Sequence, residues 1–184
     1  MDRKKFIKKV CTYGVCGCAA ITAIPALAAS STPASAGEDE PDWRIEFMQK
    51  RMAKHIEHLN SKIDEDTMNE LIEMLGRSCS SDGMERYSDY VGNVKGFLKD
   101  VLTQWGDTAD YDEANGIIKV TGVKRDSCFC PFVDKKLMSV DFCNCSLGWQ
   151  KNTYETIIGK KVDVTIDESI LRGAERCSFT IKII

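Results

Sequence analysis

Histidine is nearly absent from this chain of 184 residues, with only His55 and His58 present. A serine or cysteine triad needs an imidazole base beside its nucleophile, so the familiar hydrolytic triads have little to work with. Both histidines stand beside the apolar stripe of an expected helix, among Arg51, Lys54 and Lys62, which reads as a solvated face. Charge is missing from one long stretch: no side chain from Val10 to Gly37 is ionisable as an acid or a base of the Asp, Glu, Lys or Arg type. There is no internal repeat. An excess of basic residues is missing as well. Without residues 1–28 the chain carries 20 basic against 27 acidic side chains, and nothing in that balance points to a nucleic-acid partner.

The uncharged stretch is itself a signal. Arg3, Lys4, Lys5, Lys8 and Lys9 precede it, an apolar run fills it, and small residues close it, which are the three parts of an export signal. Cleavage is expected after Ala28 or Ala36, each of which ends an Ala-x-Ala triplet. Arg3-Lys4-Lys5-Phe6-Ile7-Lys8 resembles a twin-arginine signal with lysine in the second arginine's place, which leaves the general secretory route open too. Val15-Cys16-Gly17-Cys18 loosely resembles a lipobox, so a lipid anchor at Cys18 or an uncleaved span is the only membrane contact expected. The expected location is the periplasm or cell envelope. Residues 29–42 read as a flexible tether and residues 43–184 as one domain of a size that supports one core.

The first half of that domain has helical periodicity. Ile45, Met48, Met52, Ile56, Leu59 and Ile63 predict one face of a helix from about Trp43 to Ile63. Met68, Leu71, Ile72, Leu75 and Cys79 predict a second, starting near the cap candidates Asp64 to Thr67. Met84, Tyr87, Val91, Val94, Leu98, Val101 and Trp105 predict a third, with Gly92 and Gly96 as points of bending or close packing. The second half changes period. Asn115-Gly116 before Ile117–Thr121 is a hairpin signal, Leu147–Ile158 a helix ended by Gly159, and Val162–Ile166 and Cys177–Ile183 alternating strands. The expected class is α+β, with N-terminal helices packed on a small antiparallel sheet and room for a small ligand in the helix–sheet cleft.

Two forks carry the chemistry: Cys128-Phe129-Cys130-Pro131 and Cys143-Asn144-Cys145-Ser146. In an extended segment, residues two apart point the same way with Cα atoms roughly 6.5 Å apart, wider than the about 5.5–6 Å a disulfide prefers. A metal shared by Cys128, Cys130, Cys143 and Cys145, or bridges between the forks, fits better than a bridge within either. Zinc and an iron–sulfur cluster both accept four thiolates, although their usual paired cysteines have two intervening residues and these have one. Cys79 and Cys177 lie on apolar stripes, where each reads as a small buried hydrophobe. Together they would also suit a bridge from the helical half to the sheet.

Six segments together resemble a known group: Gly76-Arg77-Ser78-Cys79, the Cys-x-Cys-Pro and Cys-x-Cys-Ser-x-Gly-Trp forks, Tyr154–Gly159, Glu168–Gly173 and Cys177-Ser178-Phe179. They resemble an uncharacterised cysteine-rich bacterial family similar to L-2-amino-thiazoline-4-carboxylate hydrolase-like proteins. The closing Gly-x-x-x-Cys-x-Phe hairpin resembles vinyl-reductase-type ligand-binding domains. The resemblance spans roughly residues 66–184. It implies an α+β small-molecule-binding fold and makes all six cysteines positions of interest, without supplying a catalytic residue. The expected function is an exported domain that binds a metal, a small molecule to be sensed, or both. The alternatives are a metal-dependent amide or ring hydrolase and a disulfide-stapled envelope protein.

Overall fold

Trp43–Asn60 form the first helix, α1, and Glu65–Met84 the second, α2, in the computed structural model, which describes residues 42–184. Residues 1–28, read as an export signal, with Cys18 among them, and residues 29–41 lie outside the described residues. Both helices begin on an aspartate. Asp42 accepts from the Arg44 amide at 3.0 Å and Asp64 from the Thr67 amide at 2.9 Å. Each pairs an N–H that the first turn cannot satisfy internally.

The predicted stripes hold in part. Met52, Ile56 and Leu59 of α1 pack with Met68 and Ile72 of α2 in one core cluster. Ile45 and Met48 are exposed, because nothing described covers the first turns of α1. On α2 the buried line runs Met68, Ile72, Gly76, Ser80, whereas Leu71, Leu75 and Cys79 face outward. The reading of Cys79 as a buried hydrophobe is therefore corrected. Apolar periodicity misses an interior face built from glycine and serine.

The single third helix expected over Met84–Trp105 is three pieces. A 3-10 turn at Glu85–Tyr90 precedes α3, Val94–Asp100, and a second 3-10 turn follows at Leu102–Trp105. Gly92 makes the break with φ at +79°, and its amide donates to the Ile157 carbonyl at 2.8 Å. Asn93 then starts α3 afresh by accepting from the Gly96 amide at 3.0 Å. The left-handed residue stops the helix, and the side-chain cap restarts it.

Four strands complete the α+β fold: β1, Thr108–Asp112; β2, Ile117–Thr121; β3, Val162–Glu168; and β4, Ser178–Ile183. The sheet is antiparallel throughout in the order β1-β2-β4-β3. At the β1–β2 turn Asp112 accepts from the Asn115 amide at 3.1 Å, and Gly116 adopts φ +65°. The fourth helix, α4, spans Asn144–Ile158, three residues longer at its start than the spacing predicts, and ends on left-handed Gly159. Tyr154 and Ile157 of α4, with Phe97 of α3 and Val101 just after it, pack onto Ile118, Phe179 and Ile181 of the sheet.

What holds α2 to α4 is close backbone contact. A Cβ on Gly76 would stand 1.8 Å from the Cys145 carbonyl oxygen, and one on Gly148 would stand 1.9 Å from that of Glu73. Only glycine permits helices to approach so near. Polar pairs flank the crossing: Asn69–Asn144 at 2.6 Å, Glu73–Lys151 at 2.7 Å, Arg77–Glu155 at 2.8 Å and buried Ser80–Thr153 at 2.9 Å. Burial pushes the Glu73 and Glu155 carboxyls up, but their hydrogen bonds and charges to Arg77, Lys151 and Lys161 outweigh it and hold both below the usual range.

Gly76→Ala should destabilise the fold by about 2–3 kcal/mol, the cost of forcing a methyl into a packed contact. Gly83→Ala, also on α2 but with open space around it, should be neutral or gain about 0.5 kcal/mol from helix propensity. Denaturant midpoints of the two variants measure this, and equal stability would refute a tight crossing.

Candidate functional site

Sheet register delivers the first fork. β2 pairs with β4 so that Thr121 lies opposite Ser178, and the contact runs on past the strands. There the Gly122 amide donates to the Cys177 carbonyl and the Arg125 amide to the Glu175 carbonyl, both at 2.9 Å. The loop leaving β2 carries Cys128 and Cys130, so Cys128 arrives near Cys177 and both line the same cleft. The second fork comes from the helical side. A 3-10 turn at Val140–Cys143 runs straight into α4, so Cys143 ends the turn and Cys145 lies in the first turn of the helix. This corrects the extended geometry assumed for that fork. At 3.6 residues per turn, side chains two apart diverge by about 200° instead of pointing the same way.

Cys128, Cys130, Cys143, Cys145 and Cys177 line one cleft of about 70 Å³, walled by apolar side chains that include Val133, Phe142 and Phe179. Four come from the forks, as the spacing predicts, and Cys177 joins them. Cys79 stands apart on the exposed surface of α2, close enough for its charge to act on Cys130 and Cys145. All six are unpaired thiols. Among the described residues no three His, Cys, Asp or Glu side chains converge on a single point in the way a bound ion requires. The sulfurs share a cleft, not a centre. His55 and His58 are exposed on α1 and do not line it.

Burial controls the chemistry of these thiols. It pushes Cys128 up to about 11, with the neighbouring sulfurs of Cys177, Cys143 and Cys130 adding to the effect. It pushes Cys145 up to about 12, reinforced by Cys130, Cys79 and Cys143. A thiol in the first turn of a helix is ordinarily acidified by the helix dipole, and here desolvation wins. Cys130 and Cys143 are raised by burial as well, opposed by the Phe132 amide and by the Ser169 hydroxyl respectively. Cys143 Sγ lies 2.9 Å from Ser169 Oγ, both buried. Ser169 also caps the 3-10 turn Ile170–Arg172, so it fixes a loop and a thiol together.

Sequence reasoning missed Ser169, although it lies in the Glu168–Gly173 segment, because a serine in a loop carries no distinguishing pattern. It also missed Tyr154. That side chain is 1% exposed between α4 and the sheet, and its hydroxyl has no hydrogen-bond partner among the described residues. Phe97 packs edge-on against its ring at 6.0 Å. Burial, with the charge of Asp107 adding, raises the Tyr154 phenol well above its ordinary value.

A mixed α+β domain with a thiol-lined cleft is the class that fold and site define. Within it, the chain belongs to a family of unknown function (DUF6144), whose model matches residues 27–184. The fold is similar to that of the phenol-responsive sensory domain of the transcription activator PoxR, solved with phenol. The TM-score is 0.52 and the identity 14%, covering 73% of this chain and 74% of that one. A trafficking protein particle complex subunit 3 from Naegleria fowleri, covalently bound to palmitic acid, matches with TM-score 0.47 and 12% identity over 76% of this chain and 96% of its own. A vinyl-4-reductase family protein from Methanocaldococcus jannaschii matches with TM-score 0.38 and 15% identity over 81% and 85%. No curated protein sequence matches the chain.

Exposure favours Cys79, and burial holds back the thiols of the forks. At pH 8, iodoacetamide should modify Cys79 first, with Cys128 and Cys145 lagging by orders of magnitude because little of either is thiolate. Peptide mass spectrometry over a time course reads the order. The same shifts set a stability window. The folded state holds these protons more tightly than the unfolded chain, so stability is full below pH about 9 and falls as pH rises towards 11–12. Denaturant unfolding of the reduced protein between pH 8 and 11 should show that decline, and a flat profile would contradict buried thiols.

Proposed function

We propose that this is an exported binding domain whose cysteine cleft takes a single soft metal ion, with zinc the first candidate. One observation carries the reading: five cysteines line a cleft of ionic size. Pockets for organic ligands run about 300–1,000 Å³, and about 70 Å³ is far below that range. It also favours one ion over an iron–sulfur cluster. Thiolates are the ligands that zinc and other soft ions prefer. Cys128, Cys130, Cys143 and Cys145 would hold the ion, with Ser169 orienting Cys143 from outside. Because the thiols sit protonated and not yet converged, binding draws them together and releases protons, so affinity climbs with pH.

The export signal supports delivery to the cell envelope, where disulfides between the same sulfurs are the competing state. The alternative of a hydrolase, which the resemblance to the thiazoline-carboxylate hydrolase-like proteins raises, has less support. Four thiolates leave no coordination position for an activated water, and neither histidine lines the cleft to act as its base.

A second reading rests on Tyr154. A buried hydroxyl without a partner costs about 1–3 kcal/mol, and a small ligand that bonds to it would recover that cost. Its position between α4 and the sheet supports a small aromatic ligand, and the fold shared with a phenol-responsive sensory domain suits that class. The ligand would open the packing around Tyr154 and Phe97 and be sensed through it.

Native mass spectrometry of the mature protein should find one zinc per chain, lost on denaturation with Cys128, Cys130, Cys143 and Cys145 then free to alkylate. Cys130→Ser should abolish retention without changing the reactivity of Cys79, while three disulfides and no metal would sink the proposal. For the second reading, Tyr154→Phe should stabilise the ligand-free protein by about 1 kcal/mol and abolish any thermal shift produced by phenol. If phenol shifts neither protein, that site does not exist.

A further inference from the structure

A groove of about 900 Å³ runs between α1 and the loop Lys136–Ser139, and it shares no lining residue with the thiol cleft. Its volume falls within the range of small-molecule sites. Ile56 and Met138, both buried at the edge of the α1–α2 core cluster, form its base. Phe47 and Leu137 flank it with large apolar side chains left 46% and 44% exposed.

The charge around this apolar surface is of one sign. Lys50, Arg51, Lys54 and Lys136 line the groove against a single acid, Glu57, on a chain whose net charge is −3. Among the described residues only Lys50 of the four is in an ion pair, with Glu46 on its own helix at 2.5 Å. Arg51 lies over the Phe47 ring at 4.7 Å, which joins the cationic rim to the apolar flank.

The walls are held in place. Asp134 accepts from the Lys136 amide at 2.8 Å through its side chain, and from the Leu137 and Met138 amides at 3.0 Å through its carbonyl. That turn presents Lys136 and Met138 at fixed positions. On the other wall, Gln49 of α1 donates to the Pro131 carbonyl at 2.9 Å and ties the helix to the fork loop.

We infer that this groove binds a single-chain anionic amphiphile, a molecule with an acidic head and a linear apolar tail. The cations attract and hold the head, and the apolar base removes the tail from water. A small hydrophilic anion would bury nothing there, and a neutral or cationic chain would gain no counter-charge. The site is independent of the metal reading, because the groove and the thiol cleft have separate linings.

Calorimetric titration of the full domain with dodecanoate, kept below its micelle concentration, tests the assignment. One dodecanoate should bind per chain, acetate should not bind, and affinity should rise by up to about tenfold for each two carbons from octanoate to dodecanoate. The double variant Lys54→Glu with Lys136→Glu, both exposed positions, should weaken dodecanoate by at least about tenfold with an unchanged circular dichroism spectrum. Equal binding of dodecylamine, indifference to the double variant, or no binding of dodecanoate would each overturn the inference. Sedimentation with phosphatidylglycerol vesicles without binding of soluble dodecanoate would overturn it too, and would assign the face to a membrane surface.

Discussion

The approach of α2 to α4 through Gly76 and Gly148 is the constraint on which the rest of the domain depends. Two helices whose backbones touch cannot slide or rotate without a clash, so the crossing fixes where α4 begins. Cys145 sits at that point, its carbonyl oxygen against Gly76, and Cys143 is two residues before it. The same α4 buries Tyr154 and Ile157 against the sheet. One contact therefore sets both the position of the second fork and the way the helical layer covers the strands. The polar pairs from Asn69–Asn144 to Ser80–Thr153 select a register that apolar packing alone would leave loose.

The sheet performs the matching task for the first fork. Antiparallel pairing of β2 with β4 continues into the Gly122–Cys177 and Arg125–Glu175 backbone bonds, and the loop that follows is left facing the start of α4. Five thiols then line one partly buried cleft without converging on a point. Desolvation outweighs the helix dipole at Cys145, and burial raises Cys128, Cys130 and Cys143 as well, so these four thiols hold their protons more tightly than a free cysteine does.

Much of the architecture was legible in the residues, and the failures share a cause. The Asn115-Gly116 turn, the Val162 and Phe179 alternations and the Gly159 helix end were readable because each has a local physical signature. The outward face of α2 was misassigned because Leu71 and Leu75 continue the apolar period while the true interior is Gly76 and Ser80. Cys79 continues the same apolar period and is likewise on the exposed face. The bend at Gly92 is legible as a glycine within the stripe, but the full break and restart there rest on the Gly92 amide bonding to Ile157, a partner 65 residues away in the chain that no local window contains.

Residue order alone determined the acidic balance, the α+β class and the two forks, since composition, period and spacing are properties of neighbours along the chain. It could nominate six cysteines but not rank them. Tertiary structure decided that five line one cleft while Cys79 stays outside, that Ser169 touches Cys143, and that the Tyr154 hydroxyl has no partner among the described residues. Each of these depends on which distant segments approach and how much water their approach removes, quantities that exist only once the chain has folded.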